Sequence, residues 1–178
     1  MVNYAKIYYN DVANGTGCRT ALFVSGCTHH CKGCFNEVTW DFNYGDPFTD
    51  EVMDEIIKSL EPSYINGLTI LGGEPMEISN QEAIYPLIKK IRDTLPGKTI
   101  WVYSGYTLEE LTDTSNRRCN SEFTKKILEN IDILVDGEFD LEKRDISLRF
   151  RGSSNQRVID MKETLKRGTI VLSGYGNK

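Results

Sequence analysis

Three cysteines, Cys27, Cys31 and Cys34, fall within the stretch SGCTHHCKGCFN at 25–36, spaced by three residues and then by two. Thiolates so close together are soft ligands, suited to iron–sulfur clusters or to zinc. An odd number does not pair into disulfides, and a closed structural zinc site takes four ligands. Two chemistries remain open for the fourth place. A cubane 4Fe–4S cluster held at three corners leaves one iron free to bind another molecule, and an open position is what separates a reactive metal site from a structural one. A Cys3His zinc site would instead recruit His29, His30 or Cys18. Three free thiols are the remaining reading. Gly26 and Gly33 would let the backbone pass close to a cluster. A histidine at 29 or 30 could tune a cluster by hydrogen bonding, but both read first as solvated loop residues or as contacts to a partner. Cys18, in NGTGCR, reads as a small residue packed at a strand start, and Cys119, in SNRRCNSE, receives no role.

Other chemistry-bearing stretches lie further along. In GGEP (72–75), glycine carbonyls and the Glu74 carboxylate could accept hydrogen bonds from an amine. Its plain alternative is a strand-to-helix turn with an acidic residue near the helix start. WVYSGY offers Ser104 and Tyr106, or simply a turn and a helix cap at Thr107. LVDGEF offers Asp136. RGSSNQ offers Arg151, Ser153, Asn155 and Gln156, donors for a carboxylate, an adenine edge or a peptide backbone; otherwise it is a solvated turn into a short strand.

Apolar runs alternate with helical patterns and must position these residues. Strands are expected at 20–26, 67–73, 98–106 and 131–137, with a further one at 168–174. A helix follows DPFTD, with Val52, Met53, Ile56, Ile57 and Leu60 on one face and Thr49 as its N-cap. A second covers 80–95, and Pro86 inside it predicts a kink or a late start. A third covers 121–130. Strand–helix alternation predicts a mostly parallel α/β sheet, too short for a full eight-unit barrel, which takes about 250 residues. Each polar or glycine-rich signal follows a strand, and parallel sheets gather their sites at carboxyl ends. Four stretches are thus expected to face one pocket.

The 178 residues suit one domain, 1–178, with a polar tail segment from about 138. A net charge of −5 gives no basic excess for nucleic acid or an anionic membrane. No apolar run reaches membrane-helix length, and the N-terminus lacks a signal-peptide core. A cytoplasmic location is therefore expected, where clustered cysteines are metal ligands or redox groups more often than disulfides.

Cys-x3-Cys-x2-Cys closing a first strand resembles the signature of the radical S-adenosylmethionine enzymes. CKGCFN, with Gly33 before the third cysteine and the aromatic Phe35 after it, resembles one branch, the activating enzymes of anaerobic ribonucleotide reductases. NGTGCRTALFVSGCTHHCKGCFN, GGEP, WVYSGY, LVDGEF and RGSSNQ occur in that branch's order over about 4–160. The resemblance implies an open partial (β/α) barrel with Cys27, Cys31 and Cys34 on a 4Fe–4S cluster. It implies S-adenosyl-L-methionine on the fourth iron, near Gly33, Cys34, Phe35, Gly72, Gly73, Glu74, Ser104 and Asp136. No catalytic side chain is implied beyond the cluster ligands. The implied reaction is reductive cleavage of S-adenosylmethionine, the 5′-deoxyadenosyl radical then generating a glycyl radical on the reductase. A one-electron donor such as flavodoxin would feed the cluster, and the open cluster would restrict function to anaerobic conditions. Related enzymes carry Asp-x-Lys where this chain has Asp136-Gly137-Glu138, so only Asp136 carries over. The alternatives are activation of another glycyl-radical enzyme such as pyruvate formate-lyase, or a non-catalytic zinc-binding interaction module.

Overall fold

In the computed structural model, which describes residues 1–176, seven strands form one sheet. They are β1 (Asn3–Asp11), β2 (Cys18–Val24), β3 (Asp46–Pro47), β4 (Ile65–Gly72), β5 (Thr99–Ser104), β6 (Ile133–Asp136) and β7 (Arg157–Asp160), in the spatial order β3-β1-β2-β4-β5-β6-β7. The α-helices are α1 (Asp50–Ser59), α2 (Ile78–Thr94), α3 (Leu108–Thr112), α4 (Thr124–Leu128) and α5 (Met161–Arg167). Strands β2, β4, β5 and β6 run parallel, while β1, β3 and β7 pair antiparallel at the flanks. The sheet is open, with β3 and β7 at its edges.

Side chains alternate across a strand, so each strand serves two faces. Leu22, Leu68, Ile70, Ile100, Val102 and Leu134 share one core with Ile56, Leu87, Ile88, Leu111 and Ile127 of the helices. Burying each such side chain fully is worth about 1.5–3 kcal/mol. The intervening Trp101, Ile133 and Val135 form a smaller cluster with Val158, against which Tyr103 and Phe150 pack. On this second face, near the start of β2, Arg19 is fully buried. Its guanidinium donates to Thr69 Oγ1, Thr99 Oγ1 and the carbonyls of Thr16, Leu68 and Thr99, and lies 5.4 Å from the Trp101 ring centroid. Burial lowers its pKa to about 10, so it remains charged at neutral pH.

Several sequence expectations need correction. The helix expected at 80–95 starts early, at Ile78, and Pro86 sits inside it. Packing of Ile84, Leu87, Ile88 and Ile91 holds that helix together across the missing amide. The helix expected over 121–130 shrinks to Thr124–Leu128, because Ser121 instead forms a turn whose amide donates to Thr124 Oγ1. The strand expected at 168–174 is a single bridge, Ile159 to Leu172, after a left-handed Gly168 that ends α5. Strand β1 was not expected. Its outer position leaves most of its side chains half-buried or exposed, which blurs the alternation that marks a strand.

Candidate active site and metal centre

Parallel pairing brings the ends of β2, β4, β5 and β6 to one edge, with Val24 beside Gly72 and Ser104 beside Asp136. The cysteine loop leaves β2 there and folds back. Gly26 N donates to Thr39 O and Cys27 N to Trp40 O. Asn80, buried in α2, donates to the carbonyls of Ser25 (3.0 Å) and Glu74 (2.8 Å). Thr28 N and Oγ1 both donate to Glu77 Oε1. One helix thus fixes both the cysteine loop and the GGEP turn.

A cavity of about 140 Å³ lies over this edge. Cys27, Cys31, Cys34, Phe35, Gly72, Gly73, Glu74 and Ser104 all line it. Backbones crowd at Gly73, where an added Cβ would come within 2.5 Å of Gly26 O. Two candidates fall outside the lining. Gly33, at φ +76°, turns the loop against Leu141, whose side chain an added Cβ would meet at 2.9 Å. Asp136 is fully buried and accepts from Leu108 N and from the Arg157 guanidinium, which also grips Glu109. It ties β6, β7 and α3 together. At Gly26 an added Cβ would run into the Phe42 ring.

The donor set fits an iron–sulfur cluster. All three thiols are free and share one cavity. Among the described residues, no three Cys, His, Asp or Glu side chains close on a single ion. Asn36 N points at Cys34 Sγ at 3.4 Å, the kind of amide–sulfur contact that tunes a cluster. Burial pushes Cys27 up to about 12 and Cys31 up to about 11, so without metal both are neutral thiols. Metal binding would release their protons. Cys18 opens β2 and Cys27 follows its end, so about 20 Å of extended strand separates them. That distance removes Cys18 from any shared ligand set. Its Sγ lies 3.9 Å from Asn10 Oδ1. Cys119 is fully buried in the helix-side core.

Glu74 is turned inward and 1 % exposed. Its Oε1 accepts from Met76 N (2.7 Å) and Ser104 Oγ (2.8 Å), and its Oε2 from Gly105 N (2.6 Å). His29, read from the sequence as a solvated loop residue or a contact to a partner, is packed into this wall, its side chain only 5 % exposed. Its ring lies 4.3 Å from that of Tyr106, between Glu74 (3.1 Å from Nε2) and Glu138 (3.6 Å from Nδ1). The Glu138 contact is too long for a hydrogen bond and the Glu74 contact is not one either, so both ring nitrogens are buried without a directed partner. Burial alone would lower the His29 pKa, but Glu74 and Glu138 outweigh it and the net shift is upward. His30 does face solvent, at φ +51°, stacked on Trp40 at 4.5 Å.

Sequence reasoning also gave no site role to Tyr103, Phe139 or Trp40, which line the cavity. Tyr103 stands next to Ser104 on β5, a position that strand alternation marks as facing the other way from the helix-side core. Phe139 and Trp40 sit in loops, where no periodicity marks them. Of the RGSSNQ donors, Gln156 reaches the cavity lining but gives its amide to Gly137 O, and Asn155 gives its amide to Glu138 O.

A family model for a 4Fe-4S single cluster domain matches residues 13–159. The chain is 42% identical over 160 residues to a Pasteurella multocida protein named anaerobic ribonucleoside-triphosphate reductase-activating protein, covering 88% of this chain and 96% of that one. The Escherichia coli K12 protein of that name is 42% identical over 159 residues, covering 88% and 97%. The one from enterobacteria phage T4 is 37% identical over 157 residues, covering 88% and 93%.

Proposed function

The chain belongs to the anaerobic ribonucleoside-triphosphate reductase-activating proteins, and on that premise we propose how its cavity serves the activity. The protein is an activating enzyme with a 4Fe–4S cluster domain. Cys27, Cys31 and Cys34 are the residues to hold the cluster, and S-adenosylmethionine is the molecule to fill the remaining place. Bound together, the two supply reductive cleavage of the sulfonium, chemistry that ends in a glycyl radical on the reductase.

The chain's own residues position and seclude. Gly72 and Gly73 bring bare backbone to the cavity, where carbonyls can accept from the methionine amino group. Glu74 fixes Ser104 and Gly105 through its carboxylate, so the third strand end is locked to the second. Phe23, Leu71, Val135 and Phe139 give the cavity apolar walls that exclude water from a reactive species. We read the open sheet as a partial (β/α) barrel of the radical S-adenosylmethionine type, acting in the cytoplasm with flavodoxin as electron donor.

The observation that carries this reading is that three thiols and the Gly72–Glu74 turn line one cavity. The test is anaerobic reconstitution with iron and sulfide, reduction by dithionite, and assay of 5′-deoxyadenosine and methionine, in parallel with Cys31→Ala. Product from the unsubstituted protein alone is expected. Zinc binding without iron uptake and without product would overturn the reading.

A further inference from the structure

A second cleft, of about 250 Å³, runs beside the cysteine loop. Gly33, Phe35, Phe139, Arg144, Ile146 and Arg151 line it. Phe35 and Phe139 also line the site cavity, so the two spaces adjoin across these rings.

The cleft carries both apolar surface and unanswered donors. Phe35 and Ile146 are each 90% exposed. Both residues put exposed apolar surface on one cleft beside the site cavity. Arg151 donates through Nη1 to the carbonyls of Ser154 and Gln156, while its Nε is buried without an acceptor. The Arg144 guanidinium makes no ion pair among the described residues. Asp145, also in the cleft, has Oδ1 engaged by Ser147 N and Oγ. The lobe is preformed, because Gln156 Oε1 accepts from the amides of Gly152 and Ser153, and Asp140 N donates to Ser153 Oγ.

Within the function proposed above, on which this inference rests, the hydrogen donor is a glycine in another protein's backbone. The site cavity adjoins the cleft at Phe35 and Phe139, so a glycine reaching the site from that side arrives on chain that lies along the cleft. The chain flanking that glycine must leave along the surface, and the adjoining cleft offers what a peptide backbone needs. Guanidinium donors meet its carbonyls, and aromatic and aliphatic side chains meet its residues. We propose that the cleft receives the extended reductase segment next to its reactive glycine, with backbone carbonyls on Arg144 and Arg151 and an apolar side chain between Phe35 and Ile146.

The test uses Ile146→Asp and Arg144→Glu, both at exposed positions away from the cavity lining. Each reconstituted variant is reduced with dithionite and assayed twice. Cleavage of S-adenosylmethionine without reductase should stay within about twofold of the unsubstituted protein. Glycyl-radical yield on limiting reductase, read by electron paramagnetic resonance, should fall at least tenfold and recover as reductase is raised. Equal yields across the titration would overturn the docking surface while leaving the function reading intact. A defect seen only when a protein donor replaces dithionite would also overturn it, giving the cleft to the electron donor. No cleavage by the unsubstituted protein would remove the premise itself.

Discussion

At the scale of single residues, the cysteines divide by position rather than by chemistry. Cys18 lies at the far end of β2 from the cavity, so Cys18→Ala should retain the iron content of the unsubstituted protein after reconstitution, whereas Cys34→Ala should lose most of it. Iron and sulfide analysis checks both, and loss of iron from Cys18→Ala would show the ligand set to be wrong. Glu74→Ala would leave Met76 N, Ser104 Oγ and Gly105 N without their acceptor in a buried place. Unpaired buried donors cost about 1–3 kcal/mol each, so a loss of about 3 kcal/mol or more is expected in urea unfolding of the metal-free protein. The thiols and Glu74 were legible in the sequence because spacing and strand ends announce them. His29 was not. A histidine between two cysteines reads the same whether it meets water or Glu74, and only the approach of the β4 and β5 ends to the loop decides which.

Among the elements, Asp132 joins the most. It accepts from Arg92 of α2, from Ile100 N in β5, and pairs with Lys162 of α5. Burial pushes its pKa up, but these partners together hold it below the ordinary value of 3.8. A depressed carboxylate stabilises above its unfolded pKa and loses that contribution as pH falls through the folded value. Asp132→Asn should therefore be less stable at pH 7 by about 2–4 kcal/mol, and its deficit should shrink as the pH drops below 3.8. Denaturant melts across that range would show the convergence, and a deficit constant with pH would refute the charge-based account. Strands β2, β4, β5 and β6 were legible because both their faces are covered, which leaves continuous apolar runs. The start of α3 was legible in its cap, Thr107, but strand β1 and helix α5 were not, since each has few buried positions and relies on tertiary partners or a cap such as Asp160.

For the whole molecule, the main core lies between the sheet and the helices, while the thiols sit at the strand ends. Removing iron should leave that core in place. Stripping the cluster with a chelator after oxidation should preserve the far-ultraviolet circular dichroism and a single cooperative urea transition of similar slope. A chain that lost its helical signal on chelation would behave instead like a small zinc domain, folded only with metal. That expectation follows from sheet order, which no local stretch of sequence announces.

The same order sets a timetable. Cys34 and Gln156 line one cavity, yet roughly 120 residues of chain separate them. At synthesis rates of about 5–20 residues per second, the cysteines leave the ribosome about 6–24 s before the last wall of their pocket exists. During that interval the cysteine loop lacks the wall that Gln156 supplies, and the pocket takes its final shape only once β7 pairs with β6.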